Sequence, residues 1–506
     1  MLGYLTGFAI VAVVALLRQA GVPAWNSVWA EDGHIFYEQA LRLSAPKALT
    51  TLYAGYSQLL PRLPAEVARL LPVKDFAPFM AVTGACSLSV IALVVFHSAR
   101  GHLRSPYARA ILVASTVLLP LAVWELLDNV VNVTWWLFFA TFWLLLWRPR
   151  ILAAKVLAAV MCFLAVSSDP LIGLFVPLAL LRVVSLRKMS EHAATAGLLA
   201  GLVFQAALIL HGHGQSTFTS ATFDQVPRAF LLQVGAGFVA GKTFTSQLIL
   251  SQPLFGMALG TAVLAGIAFF TVSARDKRVR AFVVTAVFFA VVTFLVPVTV
   301  RGVGRALAVR GVGSNSRYDA TPLLLLVSAT LVRLQSFTTG VRLRRSLILS
   351  LGVLVLAPSW VLDFRDSDFR FSGPAWSTGV AAATSRCNGV IRSYVTALGL
   401  AENSGEVNVP ISPRGLNISS VTIPCSRLEP TPSLAADRSP PRVRVLKPAP
   451  GTTLSGSTVL VASASDTDRV GFWIFGGRFG LAGSSLCKAN RTLRGWTCVW
   501  NSATVL

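Results

Sequence analysis

Two adjacent acidic residues follow the first hydrophobic segment of the chain, in the stretch WAEDGHIFYEQAL at residues 29–41. Aromatic residues frame Glu31 and Asp32, and Gly33 comes next, so that no side chain at that position blocks an approaching molecule. Adjacent carboxylates repel, which raises the pKa of one of them toward the range useful for proton transfer. The structural alternative is that Asp32 caps a helix over GHIFYEQAL. The pair predicts either an active site at headgroup level or a helix cap.

A second polar segment, RGVGRALAVRGVGSNSRYDA at residues 301–320, concentrates arginines between two hydrophobic segments. Its basic residues and its tyrosine are Arg301, Arg305, Arg310, Arg317 and Tyr318. The planar guanidinium group matches the geometry of phosphate oxygens. This loop therefore predicts a phosphate site, with Arg317 and Tyr318 nearest the membrane. Contact with anionic lipid headgroups, or a different topology, is the alternative.

Three further acidic residues fall at the ends of hydrophobic segments. Glu125 and Asp128 lie in WELLDNVVNVTWW, and Asp169 lies in SSDP. They are secondary candidates for the same site, because all three are predicted to face the same side of the membrane as Glu31. Asp169 is also suited to cap a helix that begins at Pro170.

The elements that must position these residues are membrane-spanning helices. The chain has 506 residues, of which 54% are hydrophobic and 13% are charged, whereas an ordinary soluble domain is about 25% charged. Hydrophobic runs near the length of a bilayer crossing recur along the sequence and predict about 11 spans. The predicted spans are residues 4–20, 77–97, 108–124, 133–147, 151–166, 170–183, 193–211, 252–273, 281–300, 321–335 and 345–362.

The net charge of +23 indicates orientation rather than binding of nucleic acid, because no basic stripe or RNA-binding motif is present. With a cytoplasmic N-terminus, every inner loop is basic, as the positive-inside rule requires. Residues 229–250 are treated as an outer re-entrant or interfacial segment. Counting them as a span would move the basic loops at 275–280 and 333–345 to the outside.

The tail is polar and contains four of the six cysteines. We divide the chain into three parts. Residues 1–362 form a transmembrane domain, whose first outer loop is 21–76. Residues 363–440 form an extracytoplasmic segment and linker, and residues 441–506 form a β-sandwich that is one or two strands short. The clustered cysteines predict two disulfides and an oxidising compartment. The preferred pairs are Cys387–Cys425 and Cys487–Cys498, although three connectivities are open. A zinc site is disfavoured because no C-x-x-C pair occurs.

A long first outer loop that opens with an acidic pair resembles the GT-C superfamily of membrane glycosyltransferases. The order W-x-E-D-G-x-x-F, then AGYSQLLPRL, SSDPLIGLFVPLALLR and SRYDATPLLLL, looks like uncharacterised bacterial members over residues 1–362. The C-terminal part resembles bacterial immunoglobulin-like repeats of cell-envelope proteins. The pair here is Glu-Asp where the superfamily has Asp-Asp, so which carboxylate acts stays open.

The resemblance implies an inverting transferase in a bacterial plasma membrane. It would move a hexosyl or pentosyl group from a polyprenyl-phosphate carrier to an envelope glycan, glycolipid or protein on the outer face. Asp32 is the expected general base, with Glu31 as its neighbour. The donor phosphate is assigned to Arg317, Tyr318, Arg301 and Arg305. The resemblance also implies that Asp169, Asp128 and Glu125 assist the pair or hold a divalent metal, whose use stays open. No other cofactor is expected.

Two other function classes remain open from the sequence. A transporter or flippase of lipid-linked sugars would show charges or broken helices at mid-membrane, whereas the charged residues here cluster at the ends of spans. A non-catalytic scaffold that binds envelope glycan would leave the acidic pair and the outer arginines without a role.

Overall fold

A computed structural model describes the chain in two compact units, Met1–Glu429 and Pro430–Leu506, each of which is treated by itself below. The residues described are 2–122, 125–185, 191–211, 223–313, 315–336, 350, 353, 356–365, 369–387, 405–414, 418–428, 443–449, 452, 457–464, 470–474, 484–492 and 495–501.

The first unit is mainly helical. Its helices are α1 (Leu2–Arg18), α2 (Glu38–Arg42), α3 (Ala45–Thr50), α4 (Leu59–Ala68), α5 (Phe76–Ser98), α6 (Pro106–Val117), α7 (Val133–Leu146), α8 (Leu152–Ser168), α9 (Val176–Ser185), α10 (Ala193–His211), α11 (Val226–Ala229), α12 (Gly237–Ser251), α13 (Pro253–Val272), α14 (Lys277–Val300), α15 (Gly304–Val309), α16 (Arg317–Ser336) and α17 (Trp376–Arg386). A π-helix at Glu31–Tyr37 precedes α2, and a second one at Phe230–Ala236 precedes α12.

Four helical stretches of the described residues are long and apolar enough to cross a membrane. They are Val73–Gly101, which contains α5, together with α10, α13 and α14. Helices α1, α7 and α8 are also apolar but have 17, 14 and 17 residues. The count of about 11 spans therefore stays a prediction. Half of the span predicted at 345–362 lies outside the described residues.

Helix α7 forms the centre of the first unit. Every one of its residues except Leu146 is buried, as expected of a helix that is hydrophobic all round. Around it an aromatic cluster is formed by Phe138, Phe142, Trp143, Phe175, Phe282 and Phe289. The N-terminal end of this rigid helix supports the site described below.

Helix α14 connects two opposite ends of the unit. It has 24 residues, which corresponds to a length of about 36 Å at 1.5 Å per residue and exceeds the roughly 30 Å hydrocarbon core of a bilayer. Arg278 at its start lines one cavity, and Arg301 just beyond its end lines another. The two cavities therefore lie about one membrane thickness apart.

The loops predicted to be cytoplasmic meet at one of these ends. Gln335 accepts a hydrogen bond from the Ser105 backbone N–H at 2.9 Å, and its side-chain amide donates to the His102 carbonyl. Arg333 donates to the carbonyl of Phe270 at 2.8 Å, and Arg182 donates to that of Leu145. The structure thus groups these basic loops at one end of the unit, and their cytoplasmic placement stays a prediction.

The segment that the sequence left ambiguous, residues 229–250, is helical but broken. Gly241 has φ 69°, a conformation that L side chains rarely adopt, and the helix restarts after it. The Asp363 carboxylate accepts hydrogen bonds from the backbone N–H groups of Lys242 and Thr243, at 2.8 and 3.3 Å. Further along, the Ser246 hydroxyl accepts the Val312 N–H at 3.0 Å. These partners lie at the same end as Arg301, and the interfacial placement of the segment stays a prediction.

The described residues from 369 to 428 pack onto the first long loop. Strands β1 (Glu406–Pro410) and β2 (Ser420–Pro424) form an antiparallel pair. Val409, Ile411 and Val421 share a core with Tyr37 and Phe76. The Cys387–Cys425 disulfide, with a Cα–Cα distance of 5.6 Å, joins the end of α17 to the end of β2. The structure thus groups these residues with the helices, whereas the sequence analysis set 363–440 apart.

The second unit is a single antiparallel sheet in the residues described. Its strands are β3 (Val443–Lys447), β4 (Ser457–Ala464), β5 (Val470–Ile474), β6 (Ser484–Thr492) and β7 (Gly495–Asn501), in the order β3-β4-β7-β6-β5. The preferred second disulfide is present between Cys487 and Cys498. Two packed sheets, as an immunoglobulin-like sandwich requires, stay a prediction.

Candidate active site

One cavity of about 270 Å³ gathers polar residues from five separate stretches at the Arg301 end of the first unit. We call it the mixed-charge cavity. Its charged lining residues are Glu31, Asp169, Arg301 and Arg317. Its other polar and aromatic lining residues are Tyr53, Tyr56, Gln58, Asn132, Thr134, Trp135, Ser168, Asn315 and Tyr318. The structure therefore brings both carboxylates and both guanidinium groups into one small space.

Glu31 reaches the cavity from the π-helix. A π-helix is a rare backbone form that is frequent at functional sites, and here it begins at Glu31. One Glu31 carboxylate oxygen is buried and has no hydrogen-bond partner among the described residues. Such an oxygen is available to accept a proton from a bound hydroxyl group.

Gly33 allows the π-helix to lie against strand β2. A Cβ atom at this position would come within 2.6 Å of Val421 Cγ2 and 2.8 Å of Ile411 Cδ1. His34 Nδ1 lies 2.8 Å from the Ser420 carbonyl oxygen, and the Thr422 N–H donates to the Glu38 carboxylate. The sequence analysis explained this glycine by access for an acceptor, but the structure uses it for close packing.

Asp32 points away from the cavity. Its carboxylate accepts the backbone N–H groups of Val130 and Val131, at 2.8 and 3.0 Å, and its side chain is buried. Burial, together with the neighbouring Glu31 charge, raises its pKa to about 7, although both hydrogen bonds oppose the shift. Asp32 ties the first long loop to the segment before α7. The alternative that Asp32 caps the helix over GHIFYEQAL is wrong, because that helix begins at Glu31 without a side-chain cap and Asp32 accepts backbone N–H groups of a distant segment.

A tight turn supplies two tyrosines. Tyr53 and Tyr56 exchange backbone hydrogen bonds at 2.9 and 3.3 Å around Ala54 and Gly55, which both have positive φ. The Gln205 side chain fixes the turn, because it accepts the Ser57 N–H and donates to the Ser57 carbonyl. Burial raises the pKa of Tyr53 to about 12 and that of Tyr56 further. Both phenols therefore stay protonated and can donate hydrogen bonds.

Asp169 lines the cavity from the end of α8. Its Oδ1 accepts the Leu171 N–H at 2.9 Å and so caps the short 3₁₀ helix Pro170–Phe175. Burial raises the pKa of Asp169, whereas the Arg301 charge and the capping hydrogen bond lower it. This residue therefore performs the capping role considered in the sequence analysis and also faces the cavity.

The two arginines flank the segment between α14 and α16, with Arg301 at the end of α14 and Arg317 at the start of α16. The Arg301 guanidinium carbon lies 4.9 Å from the ring centre of Tyr56, and that of Arg317 lies 5.5 Å from the ring centre of Tyr318. Glu125 orients this loop, since one oxygen accepts the Asn315 N–H at 2.8 Å and the other lies 3.8 Å from Arg317 Nε. Glu125 itself does not line the cavity.

Two further predicted residues lie outside the lining. Arg305 is exposed on α15. Asp128 is buried with a positive φ of 54°, and its carbonyl accepts a hydrogen bond from Arg370 at 3.2 Å. Arg370 is itself buried and close enough to Asp32 to favour its ionised form. Asp128 and Arg370 thus help to hold the segment before α7.

Sequence reasoning did not single out Tyr53, Tyr56, Asn132, Asn315 or Trp135, which complete the lining. The first two flank the dipeptide Ala-Gly in TLYAGYSQ, and a turn signal between two tyrosines could have marked them. Another omission is Asp319, which is fully buried and has no hydrogen-bond partner for its carboxylate among the described residues.

The described residues contain no group of three His, Cys, Asp or Glu side chains that could hold a metal ion. Glu31 and Asp169 are the carboxylates of the lining, and Asp32 is engaged elsewhere. The expectation that these carboxylates hold a divalent metal stays a prediction.

The comparisons with known proteins add little to this geometry. No family model matches the sequence, and no curated protein sequence matches it. One solved structure, that of ArnT from Cupriavidus metallidurans bound to undecaprenyl phosphate, is similar at 14% identity over 85% of this chain and 99% of that chain, with a TM-score of 0.30. A score this low supports no inference about fold or function, so the function rests on the site itself.

Proposed function

We propose that this protein is a membrane glycosyltransferase of the GT-C type. It would move a sugar from a polyprenyl-phosphate carrier to an envelope glycan, glycolipid or protein on the outer face of a bacterial plasma membrane. The observation that carries the proposal is the mixed-charge cavity, in which Glu31 shares the lining with two arginines and three tyrosines, next to the end of an apolar helix. The basic loops at the opposite end support the outward placement of this cavity.

The cavity suits a donor whose phosphate stays at the membrane surface. Arg301 and Arg317 supply positive charge, and Tyr56 and Tyr318 supply hydroxyl groups in the same lining. The N-terminus of α7, with Asn132, Thr134 and Trp135 in the lining, adds side-chain hydrogen-bonding groups and the positive end of a helix dipole. These groups bind the phosphate and stabilise the charge that it gains as the leaving group.

The carboxylate that acts on the acceptor is assigned to Glu31 rather than to Asp32. In the proposed step the acceptor hydroxyl gives its proton to Glu31 while its oxygen forms a bond to the anomeric carbon. The bond between that carbon and the phosphate oxygen breaks, and the polyprenyl phosphate leaves with the electron pair. Attack opposite the leaving group inverts the configuration at this carbon. Asp32 positions the π-helix that carries Glu31, and Asp169 is the second carboxylate in reach of the cavity.

Binding of polyprenyl phosphate tests the proposal without knowledge of the sugar. Purified protein in lipid nanodiscs is titrated with polyprenyl phosphate, and the variants Arg301→Gln and Arg317→Gln are compared with wild type. Each variant should bind at least about tenfold more weakly, because a hydrogen bond to a charged group contributes about 1.5–3 kcal/mol.

Arg305→Gln is the matched comparison, because Arg305 belongs to the same loop but lies outside the lining. Its affinity should stay within about twofold, as for an exposed substitution away from the site. Equal losses in all three variants would mean that the loop attracts anions only through its total charge. If Arg301→Gln and Arg317→Gln bind polyprenyl phosphate with wild-type affinity, the assignment of the donor site and the proposed function are both wrong.

A further inference from the structure

A second, larger cavity opens at the opposite end of the first unit, with a volume of about 1880 Å³. We call it the arginine cavity. Six exposed arginines line it: Arg100, Arg104, Arg148, Arg150, Arg275 and Arg278. Among the described residues of its lining, the one carboxylate is Asp276. The lining therefore carries a large excess of positive charge.

The acidic residues near this cavity are already engaged. Asp276 caps α14 by accepting the Arg278 N–H at 2.7 Å. Glu191, which is not part of the lining, lies 4.0 Å from Arg148. Two buried arginines, Arg182 and Arg333, form hydrogen bonds to backbone carbonyl groups, including those of Trp147 and Phe270. The exposed arginines face a space that the described carboxylates do not neutralise.

The position of the cavity matches the headgroup level of a bilayer. Three of the four helical stretches long enough to cross a membrane end or begin in its lining, at His97, Phe270 and Arg278. Trp147 also lines it, and tryptophan is enriched at membrane interfaces. Arginines at this depth meet lipid phosphates, which their planar guanidinium groups bind well.

Exposed apolar side chains in the same lining distinguish a lipid from a soluble anion. Ile151, Leu181 and Phe269 are 67%, 64% and 71% exposed, and all three line the arginine cavity. A soluble phosphate compound would leave them without a partner, whereas the first carbons of acyl chains would cover them. We propose that the arginine cavity binds the headgroup of an anionic phospholipid, with its acyl chains against these residues. This site is separate from the mixed-charge cavity.

Cardiolipin carrying a fluorescent acyl label is the probe for the test. The purified full chain, in micelles of a neutral detergent, is titrated with this lipid by fluorescence anisotropy. Wild type should bind saturably, and Arg148→Gln combined with Arg150→Gln should weaken binding by about thirtyfold. This magnitude corresponds to about fivefold for each basic residue near anionic headgroups. Both arginines are exposed, so the variant should elute as wild type in size-exclusion chromatography.

Lys277→Gln combined with Arg280→Gln removes the same charge from exposed positions at the same end that do not line the cavity. This control should bind the lipid within about twofold of wild type. A loss equal to that of the first variant would show diffuse attraction and overturn the proposal. Titration with inorganic pyrophosphate is the second arm. Pyrophosphate binding as tight as that of cardiolipin would assign the cavity to a soluble phosphate and likewise overturn it.

Discussion

The two ends of the first unit use arginine in opposite ways. At the arginine cavity, exposed guanidinium groups surround a wide space, and the described carboxylates are tied to helix ends or ion pairs. At the mixed-charge cavity, two arginines lie beside tyrosine rings and share a much smaller space with Glu31 and Asp169. If only the number of charged residues were counted, the arginine cavity would be the stronger candidate for a functional site.

The difference shows that charges that orient a protein in the membrane and charges that take part in a reaction meet different requirements. Positive residues that set topology need only lie near the ends of spans on one side, so they can be exposed and can vary in position. A reacting site needs groups of both signs at fixed positions, which requires burial and supporting hydrogen bonds. Arg317, oriented beside Glu125 and Tyr318, meets this requirement. Arg150, exposed in a short loop, does not.

Opposite accessibility of the two ends is the largest expected effect. Lys47 and Arg280 are both exposed, in the first long loop and at the start of α14. A membrane-impermeant thiol reagent should label Lys47→Cys in intact cells and Arg280→Cys only after permeabilisation, because the positive-inside rule predicts that the basic end is cytoplasmic. Labelling is read by gel shift, and the unsubstituted chain, whose Cys86 and Cys162 are the unpaired cysteines, is the blank. The reverse labelling pattern would mean that the mixed-charge cavity faces the cytoplasm.

Removing the proposed base should lower transfer most strongly among substitutions at the mixed-charge cavity. Glu31→Gln keeps the shape of the side chain but cannot accept the proton, so the transfer rate should fall by about 100- to 10,000-fold. Turnover of a labelled polyprenyl-phosphate sugar by purified protein measures this. If Glu31→Gln transfers at the wild-type rate and Asp32→Asn does not, the base is Asp32, as the sequence first predicted.

The disulfide beside the π-helix should matter more than the one in the second unit. Cys387 and Cys425 close a loop of 38 residues, and their replacement by serine should cost about 2–4 kcal/mol of stability. Transfer should also fall, because strand β2 supports the π-helix at Gly33. Replacing Cys487 and Cys498 is the matched control and should leave transfer unchanged. Denaturant unfolding in detergent, followed by tryptophan fluorescence, separates the stability effect from the rate effect.

The smallest expected effect is that of Asp32→Asn. Its amide group can accept only one of the two backbone N–H groups that now bind the carboxylate, which should cost about 1–3 kcal/mol. Asp75→Asn is the control, because Asp75 is exposed and its side chain makes no capping hydrogen bond. Its free energy of unfolding should change by no more than about 0.5 kcal/mol.

Asp32 also predicts a pH dependence of stability. Its folded pKa of about 7 lies above the model-compound value of 3.8, so the native state holds a proton that the unfolded chain releases between these values. Its contribution to stability is therefore complete below pH 4 and is lost as the pH rises to about 7. Subtracting the Asp32→Asn curve from the wild-type curve isolates this slope. A difference that is flat between pH 4 and 7 would contradict the raised pKa.

Much of the helical architecture followed from hydrophobic runs, because such runs depend on nearest neighbours in the sequence. The predicted spans at 77–97 and 193–211 coincide with α5 and α10 within one residue. The convergence of Glu31 with the loop at 301–320 was also anticipated. The orientation of Asp32 could not be predicted, because its partners, Val130 and Val131, are about 100 residues away. The packing of β1 and β2 on the π-helix could not be predicted for the same reason.

The contact between Gly33 and strand β2 also sets an order of biogenesis. The π-helix is synthesised well before Val421 and Ile411, which support it and follow nearly four hundred residues later in the chain. Until the ribosome has passed residue 425 and the Cys387–Cys425 bond has formed, the first loop lacks its supporting strand. The nascent protein should therefore remain inactive while it is being inserted, so that chemistry begins only in a finished and oxidised first unit.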